Sequence, residues 1–421
     1  MKTIPNWPQL LSERLALITF VALTLSACSN DDPVSFTLPY SVAAGDLNGD
    51  GRPDLASGNT FIASPPPHHH PGRVSVMLQS QSSSGTFGRA TNLAAGSDTI
   101  ELSIGDINGD NFMDVVAANA TSASISIFFQ DASSPGSFLA AKHLGVGTHP
   151  DGVAIGDLNG DGHLDLAVAD SGLSILLQDA SQPGTFLPPT GLGVSCSSVA
   201  IGDLNEDGRA DLVTTAPNAG YVTIHLQDPT AAGSFLPPQR VAAGLQPIDV
   251  AIADLNGDGL LDFAVANYGA LDNFATASLS VFLNSLASPG SFPAGTTYAT
   301  GWPTRAESVV SGDLNNDGLT DLAVANGAVL IHSGPPPEFY PGSISLLFQN
   351  PGAPGTFFPV VNLSDPNGPI DVAVADLNED GLADIAQSDQ SFEDGANLGV
   401  RVRFQVPGKP GRFGSPVLVG N

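Results

Sequence analysis

The sequence predicts an all-β fold. Three observations carry that prediction: a nine-residue acidic loop that recurs seven times, apolar alternating runs on both sides of every copy, and no amphipathic helical period of useful length beyond residue 28. Asp157-Leu158-Asn159-Gly160-Asp161-Gly162-His163-Leu164-Asp165 shows the loop most plainly. The copies begin at Asp46, Asp106, Asp157, Asp203, Asp254, Asp313 and Asp376, spaced 60, 51, 46, 51, 59 and 63 residues apart. Such a period holds four short strands and their turns, the size of one propeller blade. We therefore expect one domain over residues 36–421, a seven-bladed β-propeller of four-stranded antiparallel blades.

Residues 1–27 precede that domain and read as an export leader, with Lys2 and Arg14 ahead of the apolar run from Leu15 to Leu25. The run is too short for a stable membrane span. Leu25-Ser26-Ala27-Cys28 resembles a bacterial lipoprotein processing box, which implies Cys28 as the lipidated N-terminus and residues 28–35 as a short tether. Localisation at the bacterial envelope follows, with the membrane reached only through the lipid. Cys196 then has no cysteine partner, so no disulfide framework exists; it reads as a small buried hydrophobe.

Within the repeat the order of elements is constant. In the third copy Gly152–Gly156 is a strand ending in the acidic loop, Asp165–Ala169 a second, Leu173–Gln178 a third, and Thr185–Pro188 opens a proline-tolerant outer fourth. Between strands three and four a Pro-Gly turn occurs at Pro135-Gly136, Pro183-Gly184, Pro289-Gly290, Pro354-Gly355 and Pro410-Gly411. Proline presets the first central angle of such a turn and glycine accepts the positive φ of the second. An aromatic follows each, at Phe138, Phe186, Phe292, Phe357 and Phe413, placed to pack between blades. The last repeat carries its own fourth strand, Phe413 to Val419, so each blade reads as contiguous; Phe36-Thr37-Leu38 is positioned to add a closing contact with blade seven.

Composition narrows the function. The 42 acidic residues against 13 Lys and Arg give a formal charge of −29, which repels nucleic acid and anionic lipid. Half of the acids, 21 of 42, are the three Asp of each loop, so the acidity is patterned as cation sites are. The candidate ligands are Asp46, Asn48, Asp50 and Asp54; Asp106, Asn108, Asp110 and Asp114; Asp157, Asn159, Asp161 and Asp165; Asp203, Asn205, Asp207 and Asp211; Asp254, Asn256, Asp258 and Asp262; Asp313, Asn315, Asp317 and Asp321; and Asp376, Asn378, Asp380 and Asp384. Oxygens at positions 1, 3, 5 and 9 with a carbonyl at 7 suit calcium, a hard ion that takes six to eight oxygens in flexible geometry. Up to seven calcium ions are expected, bringing the formal charge from −29 to −15.

Position 6 needs a sharp turn and is glycine in six copies; the second has Asn111, the residue that best tolerates a left-handed backbone after glycine. An EF-hand shares the early positions but requires Glu at position 12, where Ser57, Ala117, Val168, Thr214, Val265, Val324 and Gln387 stand. Gly156-Asp157-Leu158-Asn159-Gly160-Asp161-Gly162 followed by Asp165-Leu166-Ala167-Val168 resembles the FG-GAP or VCBS repeat family and is similar to the calcium-loop blades of integrin α-subunit propellers. The resemblance implies calcium in the loop joining the first two strands of a blade, and roles in adhesion or ligand binding.

In a four-stranded meander the acidic loops and the three-to-four turns share one face, and the two-to-three and four-to-one connections share the other. The two-to-three connections are long in blades one, five, six and seven, which ring closure makes neighbours. Long connections on a rigid scaffold are where recognition concentrates. The candidate ligand-face residues there are His68, His69, His70, Tyr268, Phe274, Phe339, Tyr340 and Phe392. Trp302, with His149 and Gln246, precedes a proline in fourth-to-first connections and joins that set. Consecutive histidines rarely converge on one ion, so His68–His70 read as a loop rather than a zinc site.

The leading expectation is a monomeric, calcium-stabilised adhesion or binding module with an extracellular or envelope protein or glycan as partner. The alternative is a carbohydrate-active lyase or hydrolase on the same scaffold. No Gly-x-Ser-x-Gly motif is present, and the Asp residues that might act as acid and base are committed to the loops, so we expect no enzyme.

Overall fold

The computed structural model describes residues 35–63, 71–270, 276–301, 304–332, 338–389 and 399–420. Its architecture follows from the second strand of each repeat. In Asp165–Ala169 every residue is buried, because this strand has protein on both faces; after Asp165 its sequence is therefore continuously apolar. It pairs antiparallel with Gly152–Gly156 on one side and Ser174–Leu176 on the other, and Thr190–Gly191 completes the sheet. The other six blades repeat that order. Blade one is Ser35–Gly45, Asp54–Ala63, Pro71–Met77 and Thr91–Ser97; blade seven is Pro369–Ala375, Asp384–Asp389, Val400–Arg403 and Val417–Val419. No α-helix occurs among the described residues.

First strands crowd the axis, and their glycines make the crowding possible. A Cβ on Gly45, Gly105, Gly156, Gly202 or Gly312 would stand 3.0–3.2 Å from a branched side chain on the first strand of the next blade, such as Ile201 opposite Gly156. Farther out, seven apolar clusters fill the spaces between blades. Each takes one phenylalanine from the outer turn: Phe87, Phe138, Phe186, Phe235, Phe292, Phe357 and Phe413. The packing role expected of the aromatic holds, and it extends to two copies in which Ser84-Gly85 and Ala232-Gly233 replace Pro-Gly. Glycine's positive φ is the constant feature, from 69° to 82° across the seven turns.

The ring closes by packing blade seven on blade one, with no strand exchanged between them. Val42, Leu55 and Met77 meet Leu377, Ala386, Val400 and Val402 in the closing cluster. The Val42 N–H donates to Asp371 Oδ2 at 2.8 Å, and Arg52 Nε lies 2.8 Å from Glu379 Oε1 across the same seam. The segment Phe36-Thr37-Leu38 belongs to the eleven-residue first strand of blade one.

Two elements differ from the sequence reading. The fourth strand of blade three begins at Thr190 rather than Thr185: Phe186 forms a single bridge with Gln178, then Pro188-Pro189, which have no N–H to give, interrupt the ladder. Blade six also carries an unforeseen two-stranded ribbon, Val329–His332 with Glu338–Tyr340, between its second and third strands.

Candidate functional site

Each acidic loop is a backbone coil wound on its own side chains. In loop three, Asp157 Oδ2 accepts the Gly162 N–H at 2.9 Å, Asn159 Oδ1 accepts the Asp161 N–H at 2.8 Å, and Asp161 Oδ1 accepts the His163 N–H at 2.9 Å. Such contacts force positive φ at position 6, where the six glycines lie between 78° and 90° and Asn111 at 69°. Position 4 is left-handed too, including Glu206 at 59° and Glu379 at 61°, a constraint that sequence reading missed. Position 2 is Leu or Ile in every copy and at most 1% exposed, so an apolar anchor pins each coil to its seam.

The final Asp of the motif plays a different part from the other two. Asp54, Asp114, Asp165, Asp211, Asp262, Asp321 and Asp384 are all fully buried. In each, Oδ2 accepts the N–H of position 2 at 2.9–3.1 Å. Its Oδ1 accepts an N–H at 2.6–2.9 Å from the end of the third strand, supplied by Gln79, Gln130, Gln178, Gln227, Asn284, Gln349 or Gln405. One carboxylate thus ties loop, second strand and third strand together. Burial, with the charges of the other loop Asp residues adding to it, raises all seven, Asp54, Asp114, Asp321 and Asp384 to about 7 and Asp165, Asp211 and Asp262 to about 6.

The donor set fits a hard cation: three carboxylates and an amide oxygen from one tight coil, with mutual repulsion that a divalent charge would relieve. Among the described residues no group of three or more His, Cys, Asp or Glu side chains is itself drawn into a metal-holding geometry. The loop oxygens rest on backbone N–H groups, as in loop three, and calcium would be held by positions 1, 3, 5 and 9 of each copy.

At the opposite end of the first strands the axis opens into a cavity of about 290 Å³, lined among others by Glu101, Asp151, Asp249, Glu307 and Asp371. The strands there are bulged in blades one, two, five, six and seven. Asp249 Oδ1 accepts Ser198 Oγ–H at 2.8 Å and its Oδ2 accepts the Val309 N–H at 2.8 Å. Asp371 Oδ1 accepts Ser308 Oγ–H at 2.6 Å. Burial raises Asp249, and raises Asp371 to about 7; Glu101 is pushed well above the usual carboxylate range by burial and then by the charges of Asp371 and Asp249.

The ligand-face candidates divide. Tyr268 is a correction: it is 2% exposed, accepts Arg305 Nη1–H on its hydroxyl at 2.6 Å and carries the Arg305 guanidinium 5.0 Å over its ring, so it is a wall of the seam between blades five and six. Its place at the start of a long connection hid a chain that turns inward. Tyr340 is half-buried at the end of the ribbon in blade six, and Phe339 stands opposite Leu330 in that ribbon. His149 is exposed, whereas Gln246 is 8% exposed. His68, His69, His70, Phe274, Trp302 and Phe392 lie outside the described residues, as does Cys28. Cys196 is buried at 4% exposure, as expected of a small hydrophobe.

Comparison with known proteins bears on the fold and the repeat. Comparison with curated proteins gives no match. The crystal structure of BBS1N in complex with ARL6DN, soaked with mercury, is similar at 12% identity over 91% of this chain and 98% of that chain, with a TM-score of 0.54. A crystal structure of a protein from Lactobacillus plantarum is similar at 12% identity over 92% of this chain and 97% of that one, with a TM-score of 0.50. At those identities the likeness is one of fold. Family models for the FG-GAP-like repeat match residues 106–168, 157–214 and 203–265, and for the FG-GAP repeat residues 38–77 and 306–334. Five matches, each spanning one acidic loop or running from one into the next, cover more than half of a seven-bladed ring, and the chain belongs to the FG-GAP repeat family.

Proposed function

We propose that this protein is a calcium-stabilised binding module, held on a bacterial envelope through Cys28, that recognises an extracellular or envelope protein or glycan with the face opposite its acidic loops. It acts by binding rather than by turnover. The observation that supports this reading is a division of labour along the first strands. At one end all seven blades carry the same acidic coil. At the other end the blades differ, in the five bulged first strands, the extra ribbon of blade six and the cavity among the axial carboxylates. A repeated feature serves the scaffold, and a surface that differs from blade to blade is suited to one partner.

Calcium in these loops would neutralise clustered carboxylates and pin the first hairpin of each blade. The chain supplies the rest: the buried final Asp fixes the coil, and position 2 seats it in the seam. The test is a protein and glycan array probed with the full chain, with and without calcium. We expect calcium-dependent capture of one partner class, lost when the two-to-three connections of blades one, five, six and seven are all shortened. Capture that survives shortening of all four overturns the assigned face. Turnover of an arrayed glycan overturns the binding-only reading.

A further inference from the structure

The glycine of each outer turn does more than shape its own blade. At six of the seven turns it reaches the acidic loop of the blade before it. A Cβ on Gly136 would stand 3.2 Å from Asn48 Cβ, on Gly184 3.3 Å from Asn108 Cβ, on Gly290 3.0 Å from Asn205 Cβ, and on Gly355 3.3 Å from Asn256 Cβ. The pattern crosses the ring closure, since a Cβ on Gly85 of blade one would lie 3.1 Å from Asn378 Cβ of blade seven. Every one of these asparagines is position 3 of an acidic loop. The other wall of the notch is the side chain that ends the third strand of that preceding blade, Leu78 for Gly136 and Phe129 for Gly184.

A second contact bridges the same pair of elements. In blades three, four and five the side-chain amide at the end of the third strand donates backwards to the position 2 carbonyl of the preceding loop: Gln178 Nε2 to Ile107 O at 2.9 Å, Gln227 Nε2 to Leu158 O at 2.6 Å, and Asn284 Nδ2 to Leu204 O at 2.7 Å. The same side chain holds the turn, because Gln178 Oε1 accepts the Gly184 N–H at 2.7 Å and Asn284 Oδ1 accepts the Gly290 N–H at 2.9 Å. At the closure Ser84 Oγ–H donates to Asn378 O at 2.6 Å. Turn and amide together therefore grip two consecutive residues of a neighbour's loop.

We propose that the cation loops are completed by the following blade: the outer-turn glycine, joined at loops two, three and four by the amide before it, positions the loop's second and third residues, so that calcium occupancy and seam closure are coupled. This rests on the calcium reading of the loops. Its consequence is that a substitution in one blade weakens binding in another. A loop that must order two gripped residues gains affinity from the grip, and loses it when the grip is released.

The seam between blades four and five gives the sharpest test. Gly290→Val puts a side chain against Asn205 and strains a backbone at φ 82°. Asn284→Leu keeps the volume and the backbone N–H that serves Asp262, and removes the donor to Leu204 O together with the weaker donor to Leu261 O of its own loop. For both full-length variants and the wild type, calcium titration is read by calorimetry and by calcium-dependent hydrogen exchange of peptides covering 203–211 and 254–262. We expect each variant to lose affinity at 203–211 by about ten-fold or more; Gly290→Val leaves 254–262, the acidic loop of the mutated blade, unchanged, and Asn284→Leu, which also loses the bond to Leu261 O, changes 254–262 less than 203–211. Loss at 254–262 with 203–211 intact, or no change at either, overturns the inference while leaving the calcium reading in place. A wild-type protein that takes up no calcium overturns both.

Discussion

The first strands carry acidic residues at both ends, and the two acidic regions are built on opposite rules. In the loops every carboxylate is satisfied by backbone N–H groups of its own blade, and the arrangement is the same seven times. Along the axis the corresponding position reads Ser41, Glu101, Gly152, Ser198, Asp249, Ser308 and Asp371 around the ring, in no regular order. The hydrogen bonds there run between blades. Asp249 joins blades four, five and six through Ser198 and Val309, and Asp371 joins six, seven and one through Ser308 and Val42. Identical acids fold the units; dissimilar acids order them and close the ring.

Chelation breaks this comparison most severely, because it acts on all seven loops and on none of the axial contacts. We expect EDTA to lower the melting temperature by roughly 10 °C or more, since a single site at a hundred times its Kd contributes about 2.7 kcal/mol. An unchanged melt in excess EDTA refutes the calcium reading.

Within a loop, the two kinds of Asp separate next. Asp165→Ala orphans the buried Leu158 and Gln178 N–H groups, at about 1–3 kcal/mol each. Asp161→Ala, at an exposed position, leaves the calcium-free fold nearly as stable as the wild type. Melting both in EDTA should therefore show a large fall for Asp165→Ala and a small one for Asp161→Ala. Equal falls would place the final Asp with the others and remove its role as a staple.

The loops were legible in the sequence because their determinants are local: Asp, Asn and Gly at fixed offsets within nine residues. The blade count and the seam aromatics followed from the period. What lay between blades was not legible. In blades two, five and six an Asn at the end of the second strand bonds paired serines on the third, as Asn119 bonds Ser126 at 2.9 Å. Blade seven replaces that set with Arg401 on Asp389 and with Arg403, whose Nη2–H donates to Asp365 of blade six at 2.5 Å. No spacing rule links Arg403 to Asp365, 38 residues away across a seam. Tyr268 failed for the same reason, its partner Arg305 lying on the next blade.

The smallest expected effect concerns the axis alone. Asp371 is raised from its ordinary 3.8 to about 7, first by burial and also by the charge of Asp249, and Glu101 is raised with it. The sign follows from linkage. Below about 4 both folded and unfolded chains hold the protons; between about 4 and 7 the folded chain holds protons that the unfolded chain has released; above 7 the folded chain must carry the buried charge. Stability therefore falls as pH rises through that window. The final Asp of each loop contributes in the same sense, so the informative quantity is a difference between proteins, taken with both saturated in calcium. Glu101→Gln removes one of the facing charges and leaves the hydrogen bonds of Asp249 and Asp371 untouched. Between pH 5 and pH 8 the drop in melting temperature should be smaller in Glu101→Gln than in the wild type by a few degrees. Parallel curves would mean that Glu101, Asp249 and Asp371 do not share a field across the channel, and that the axial acids act only through their hydrogen bonds between blades.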